Sequence, residues 1–240
     1  MKHLLTDARL LSLTNEIEAH LGPIGIGEME PAHREIAMCS MSYDNGNWSL
    51  LIDPTREIDQ ALICHELAHL ILIIEGWPAL SIATSIPERT PHYEVLSMLK
   101  NLMLHIDVWD IVKKMGFNEI PAYYPELLNL CDDIENSRMK HSAYPELQTP
   151  IRAAFIAQAL LGPCPDETRA RIIESAKITM PEALDSATRA ISAIKSHCPL
   201  DRKKCLQGLV DLMNELEILP TFYTLHEFEV LDEGFRKKFI

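Results

Sequence analysis

The stretch Ala61-Leu62-Ile63-Cys64-His65-Glu66-Leu67-Ala68-His69-Leu70-Ile71-Leu72-Ile73-Ile74 decides how the chain is read. It is apolar on nearly every face, yet it carries two histidines and a glutamate. A run of this length without Gly or Pro predicts a helix of about four turns. A helix that is hydrophobic nearly all round is a buried one, and two imidazoles and a carboxylate are costly to bury without partners. His65 and His69 stand four residues apart, so both rings project from one face about one turn apart. One metal ion held between them gives each ring its partner.

Zinc suits this spacing. It takes nitrogen ligands at roughly 2.0–2.1 Å, and a catalytic site keeps one tetrahedral position open. Glu66 lies about 100° round the helix from His65, which makes it a poor third ligand. It is well placed to reach a water on the ion. Such a water is acidified towards neutrality, and a carboxylate can take its proton as it attacks a carbonyl. The expectation is one zinc ion held by His65 and His69, with Glu66 as general base of a hydrolase.

Upstream, Glu35-Ile36-Ala37-Met38-Cys39-Ser40-Met41 and Trp48-Ser49-Leu50-Leu51-Ile52 flank Asp44-Asn45-Gly46-Asn47. An Asn-Gly centre supplies the positive φ angles of a hairpin turn. Asp53 is the predicted cap of the motif helix, Pro54 fits its first turn, and Gly76 and Pro78 end it. Further upstream, Leu10, Leu13, Ile17 and Leu21 recur at helical spacing over 6–21, with Thr6 as cap and Gly22-Pro23 as stop. Downstream, 76–89 reads as a loop and Thr90-Pro91 opens a second long helix. Lys113 and Lys114 suit the dipole at its end, and Gly116-Phe117 forms a Schellman-type stop.

From about 120 onward the pattern is helical only, near 124–140, 146–161, 166–177, 181–196 and 200–217, with prolines between. The tail from 221 carries no assignable element. The fold class expected is α+β and predominantly helical. A small β-hairpin sheet and the motif helix form a metal-binding catalytic domain over 1–118. An all-α half follows over 119–240.

The third ligand is sought on the second long helix. Its charged residues Lys100, Asp107, Asp110 and Lys114 fall on one side, and Glu94, Asn101 and His105 lie opposite them beside Met98. If that helix returns antiparallel, positions near 94–101 come level with the histidines. This favours Glu94, completing a His₂Glu set, with His105 next. Asn101 better suits orientation of an imidazole from behind. The free edge of the hairpin could pair with an extended substrate, or the hairpin could simply cover the core. Tyr43, Tyr93, Tyr123, Tyr124 and His92 are candidates to stabilise an oxyanion, and nothing in the sequence selects among them.

Composition bounds the partners. A net charge of −13 over 240 residues argues against nucleic acid and against an anionic membrane. A DNA-reading turn at Thr179-Met180-Pro181 lacks a basic recognition helix. Asp7 and Arg9 interrupt any leader-like run, and residues 61–74 are too short to span a bilayer. Six cysteines without a Cys-x-x-Cys pair favour reduced thiols and a cytoplasmic location. Cys64 reads as a small core residue. The expected partner is a peptide or protein substrate. Two rivals stand beside this reading: a metal-binding protein without proteolytic activity, and a helical interaction module in which the motif arose by chance.

The hairpin, His65-Glu66-Leu67-Ala68-His69 and the helix from Glu94 to Leu102-Met103-Leu104 resemble the zincin metallopeptidases, specifically the gluzincin-like ImmA/IrrE type. The resemblance covers about residues 34–116. It implies zinc ligation by His65, His69 and Glu94, with Glu66 as general base, in an intracellular peptidase that often acts on a regulatory protein. The chain departs from the family where Val95-Leu96 follow Glu94, and where His105 replaces an expected proline.

Overall fold

The structure is a computed structural model that describes residues 5–31, 38–44, 46–77, 79–82, 91–139, 147–196, 202–216 and 223–226. Side chains are described throughout these except at 79–82, 91–97, 100, 202–206, 209 and 223–226. The chain is mostly helical with a small three-stranded mixed sheet, an α+β architecture. It divides into two units. One comprises Met1–Trp77, Val108–Ala122 and Phe228–Ile240, and the other Pro78–Asp107 and Tyr123–Glu227.

In the first unit, α1 (Ala8–Leu21) buries Leu10, Leu13 and Ile17 completely. Its cap is Asp7, whose carboxylate accepts the Arg9 N–H at 2.8 Å, and not Thr6. The Thr6 N–H is instead bonded to Gln60 Oε1. Three strands follow: β1 (Ile24–Glu28), β2 (Cys39–Asp44) and β3 (Asn47–Ile52). β2 and β3 are the expected hairpin, paired in register Met41↔Leu50 and Tyr43↔Trp48. Gly46 takes φ +84° at the turn, as an Asn-Gly hairpin requires. Residues 35–37 of the expected strand lie outside the described residues. β1 was not expected, and it runs parallel to β3, giving the order β1-β3-β2 with β2 at an edge. Its glycines hid it. A Cβ on Gly25 would sit 2.9 Å from Ser49 Oγ, and one on Gly27 2.8 Å from Leu51 Cδ2. The pairing therefore uses a residue that propensity assigns to turns.

The motif helix is α2 (Gln60–Ile74). Asp59 caps it, accepting the Ala61 N–H at 2.8 Å. The expected cap, Asp53, lies six residues upstream of Asp59 in a separate turn. There its carboxylate accepts both the N–H and the hydroxyl of Thr55, donors closer in the chain than any helix amide. Pro54 belongs to that turn as well. The stop is as expected. Gly76 takes φ +74°, and the N–H groups of Gly76 and Trp77 bond to the carbonyls of Ile73 and Leu72. Eleven of the helix's residues are buried, including Cys64 and His65, so the all-round apolar pattern does mark a core helix. α2 packs against α1 and β2.

Helix α3 (Pro91–Lys114) opens where Thr90-Pro91 predicts, Thr90 itself lying outside the described residues. It ends in a Schellman motif: Gly116 has φ +79°, its N–H bonds to Lys113, and the Phe117 N–H bonds to Val112. The chain cut between the units falls within this helix, after Asp107.

The second unit contains a two-stranded sheet. β4 (Ala79–Ile82) pairs antiparallel with β5 (Tyr223–His226), in stretches read as a loop and an unassigned tail. Helix α4 (Ile120–Glu135), whose first three residues belong to the first unit, begins four residues before the expected start. It accommodates Pro125 within the helix, forgoing one backbone bond there. Helices α5 (Gln148–Leu161), α6 (Asp166–Thr179), α7 (Pro181–Ser196) and α8 (Arg202–Glu215) follow close to their expected spans. α7 contacts α5, α6 and α8. Its buried face of Ala183, Ala187, Ala190 and Ile194 is mostly small, which lets backbones approach closely. Among the described residues no helix is long and apolar enough to cross a membrane.

Candidate metal centre

α2 brings its two histidines together as the four-residue spacing requires. The rings of His65 and His69 have centroids 5.0 Å apart and planes inclined at 70°. His65 is buried and His69 half-buried. The His65 Nδ1 lies 2.7 Å from Oε1 of Glu119, a residue just before α4 and itself only 4% exposed. Burial pushes the His65 imidazole down to about 4. Burial, helped by the charge of Asp59, pushes the Glu119 carboxyl up to about 8. Each shift disfavours charge on its own group.

Glu66, next along the helix, is held by the sheet. Its Oε2 accepts the Met41 N–H of β2 at 2.8 Å. Burial raises the carboxyl to about 7; the Met41 bond opposes that shift, and the charge of Glu119 adds to it. A packed helix therefore sets this carboxyl against an edge strand. Its pKa lies in the range in which a carboxylate both holds and releases a proton at neutral pH.

The nitrogens of His65, His69 and His105 lie within 4.8 Å of one another, so three histidines could hold a metal ion. His105 is buried on α3. Imidazole is a ligand that zinc accepts, along with copper, iron and nickel, so the set fits zinc without naming it. Glu94 stands on α3, and its side chain lies outside the described ones, as do those of His92 and Tyr93. Asn101 is half-buried.

The remaining candidates fall differently. Tyr43 is 60% exposed and packs on Trp48 across the hairpin, with centroids 4.7 Å apart. Tyr124 is exposed and Tyr123 half-buried. Asp107, counted with the charged side of its helix, is in fact buried. Cys64 is fully buried, touches Met115 Sδ at 3.6 Å, and has its thiol pushed up to about 12 by burial. Burial also raises Cys39. Thiols held protonated are packing residues rather than ligands.

Glu119 escaped the sequence reading. It stands 54 residues after His65, in Asn118-Glu119-Ile120, with no spacing that ties it to the motif. The one available signal was weak: a carboxylate just past a helix stop, between Phe117-Asn118 and Ile120. Compared with family models, curated proteins and solved structures, the chain matches none of them.

Proposed function

We propose that this chain is a zinc-dependent hydrolase on a zincin-like scaffold, cleaving peptide bonds in a peptide or protein substrate. The observation that carries the reading is the convergence of His65, His69 and His105, with Glu66 one residue along from the first. Histidine at i and i+4 with glutamate between them is one arrangement that serves metal-assisted hydrolysis.

When bound, zinc supplies Lewis acidity that lowers the pKa of water and polarises a carbonyl. Glu66 then takes one proton from the water as its oxygen bonds to the carbonyl carbon. The same carboxyl returns that proton to the amide nitrogen as the C–N bond breaks, which leaves a carboxylic acid and an amine. The Met41 N–H fixes one carboxylate oxygen and leaves the other to handle the proton. β2, an edge strand beside that base, offers backbone groups that an extended peptide can pair with. An acidic chain with free, buried Cys39, Cys64, Cys131 and Cys164 is consistent with a cytoplasmic enzyme that binds no nucleic acid.

The test joins elemental analysis of the untreated protein to a peptide-library digest. Wild type is expected to carry one zinc per chain and to cleave. Glu66→Gln is expected to keep the metal and lose roughly 10²–10⁴ in turnover. A zinc-loaded wild type that cleaves no peptide would end the hydrolase reading. A chain free of metal would end the zinc reading with it.

A further inference from the structure

We infer that Glu119 is a positioning residue for the metal site, accepting the His65 Nδ1–H so that Nε2 is the nitrogen presented to the ion. This rests on the zinc reading above and deepens it. An imidazole offers two nitrogens, and the hydrogen bond made by one determines which is left for a metal. The 2.7 Å contact commits Nδ1 to Glu119. A carboxylate behind a ligating ring also makes that ring a better donor, a recurrent feature of zinc sites.

The chain around Glu119 is built to hold it there. The Schellman stop of α3 turns the backbone sharply at Gly116. Met115, just before that turn, meets Cys64, the immediate neighbour of His65, at 3.6 Å. Arg9 bonds the Met115 carbonyl and lies 4.2 Å over the ring of Phe117. Asn118 Oδ1 accepts the Ile120 N–H, and the Glu119 carbonyl accepts the Ala122 N–H. The segment that carries Glu119 is thus tied on one side to the end of α3 and to Arg9 of α1, and on the other to the start of α4. A carboxylate 4% exposed in such a segment needs a polar partner, and His65 is the partner it has.

A residue that served folding alone would leave metal affinity untouched. Zinc affinity is measured by chelator competition on the full chain, for wild type, Glu119→Gln and Glu119→Ala. Circular dichroism checks that each is folded. Loss of the carboxylate is expected to weaken zinc by roughly 10–100-fold, Ala more than Gln, because Gln can still accept the ring N–H. Affinities within twofold of wild type in both folded variants would overturn the role. Complete loss of zinc in Glu119→Gln, matching His65→Ala, would make Glu119 a ligand and overturn it too.

Zinc-loaded wild type labelled with ¹⁵N-histidine gives a reading that needs no substitution. His65 is expected to show a protonated Nδ1 and a metal-bound Nε2; metal on Nδ1 would refute the assignment. If wild type takes up no zinc, this role falls together with the proposed function. If it binds zinc but cleaves nothing, the affinity and NMR readings still decide the role.

Discussion

Glu66 and Glu119 are two carboxylates in one apolar neighbourhood, and their different partners separate their tasks. Glu66 accepts from a backbone amide that cannot titrate or move away from the strand. Glu119 accepts from a ring whose other nitrogen can carry an ion. On the proposed zinc reading, the pair at His65 acts on where the metal sits, and Glu66 acts on what happens to a water there. On the zinc reading, the third ligand is sought among single residues on α3. With the nitrogen of His105 already inside the 4.8 Å group, His105→Ala is expected to lose most of its zinc and Glu94→Ala to retain it. Zinc content by elemental analysis separates the two, and the opposite pattern would favour the His₂Glu set completed by Glu94.

At the scale of elements, the start of α2 bears directly on the site, because it sets the phase in which His65 and His69 leave the helix. Asp59 holds that start by accepting the Ala61 N–H. Asp59→Ala is expected to cost about 1 kcal/mol of stability, read as a lower urea midpoint with an unchanged slope. No change would mean that the helix begins elsewhere. Much of this element was legible. The period of the apolar residues, the Gly76 stop and the Schellman end at Gly116-Phe117 all follow from residue chemistry acting over a few positions. Asp53 misled because it and Asp59, six residues on, both precede a plausible helix, and only the competing donors of Thr55 decide between them. β1 was illegible for a different reason: strand pairing through Gly25 and Gly27 is a tertiary preference that local propensity opposes. β4 and β5 pair over more than a hundred residues, a separation at which neither strand marks the other. The site divided likewise. His65, Glu66 and His69 share one helix and could be read from spacing. Glu119 comes from a distant segment, and only folding brings it to the ring.

For the whole molecule, burying Glu66, Glu119 and His65 together makes stability depend on pH in a direction that metal should reverse. Without metal, the carboxyls of Glu66 and Glu119 titrate near 7 and 8 when folded, against an ordinary 4.5. The folded state thus binds protons more tightly than the unfolded one. Their contribution is fully present below about pH 4.5 and is lost as pH rises through 7 and 8. His65 acts in the opposite sense, its folded value near 4 lying below 6.5, but only between those two values. Above pH 6.5 the carboxyls are unopposed, and the raised thiols of Cys39 and Cys64 extend the same trend beyond pH 8. Metal-free protein is therefore expected to melt at progressively lower temperature from pH 6.5 to 8.5. The charge of a zinc ion on the neighbouring histidines would favour the ionised form of both carboxyls, so the rise in melting temperature on adding excess zinc should grow over that interval. Scanning calorimetry with and without zinc across these pH values measures both slopes. A metal-free melting temperature that climbs with pH would show that the two carboxyls are not buried together beside His65.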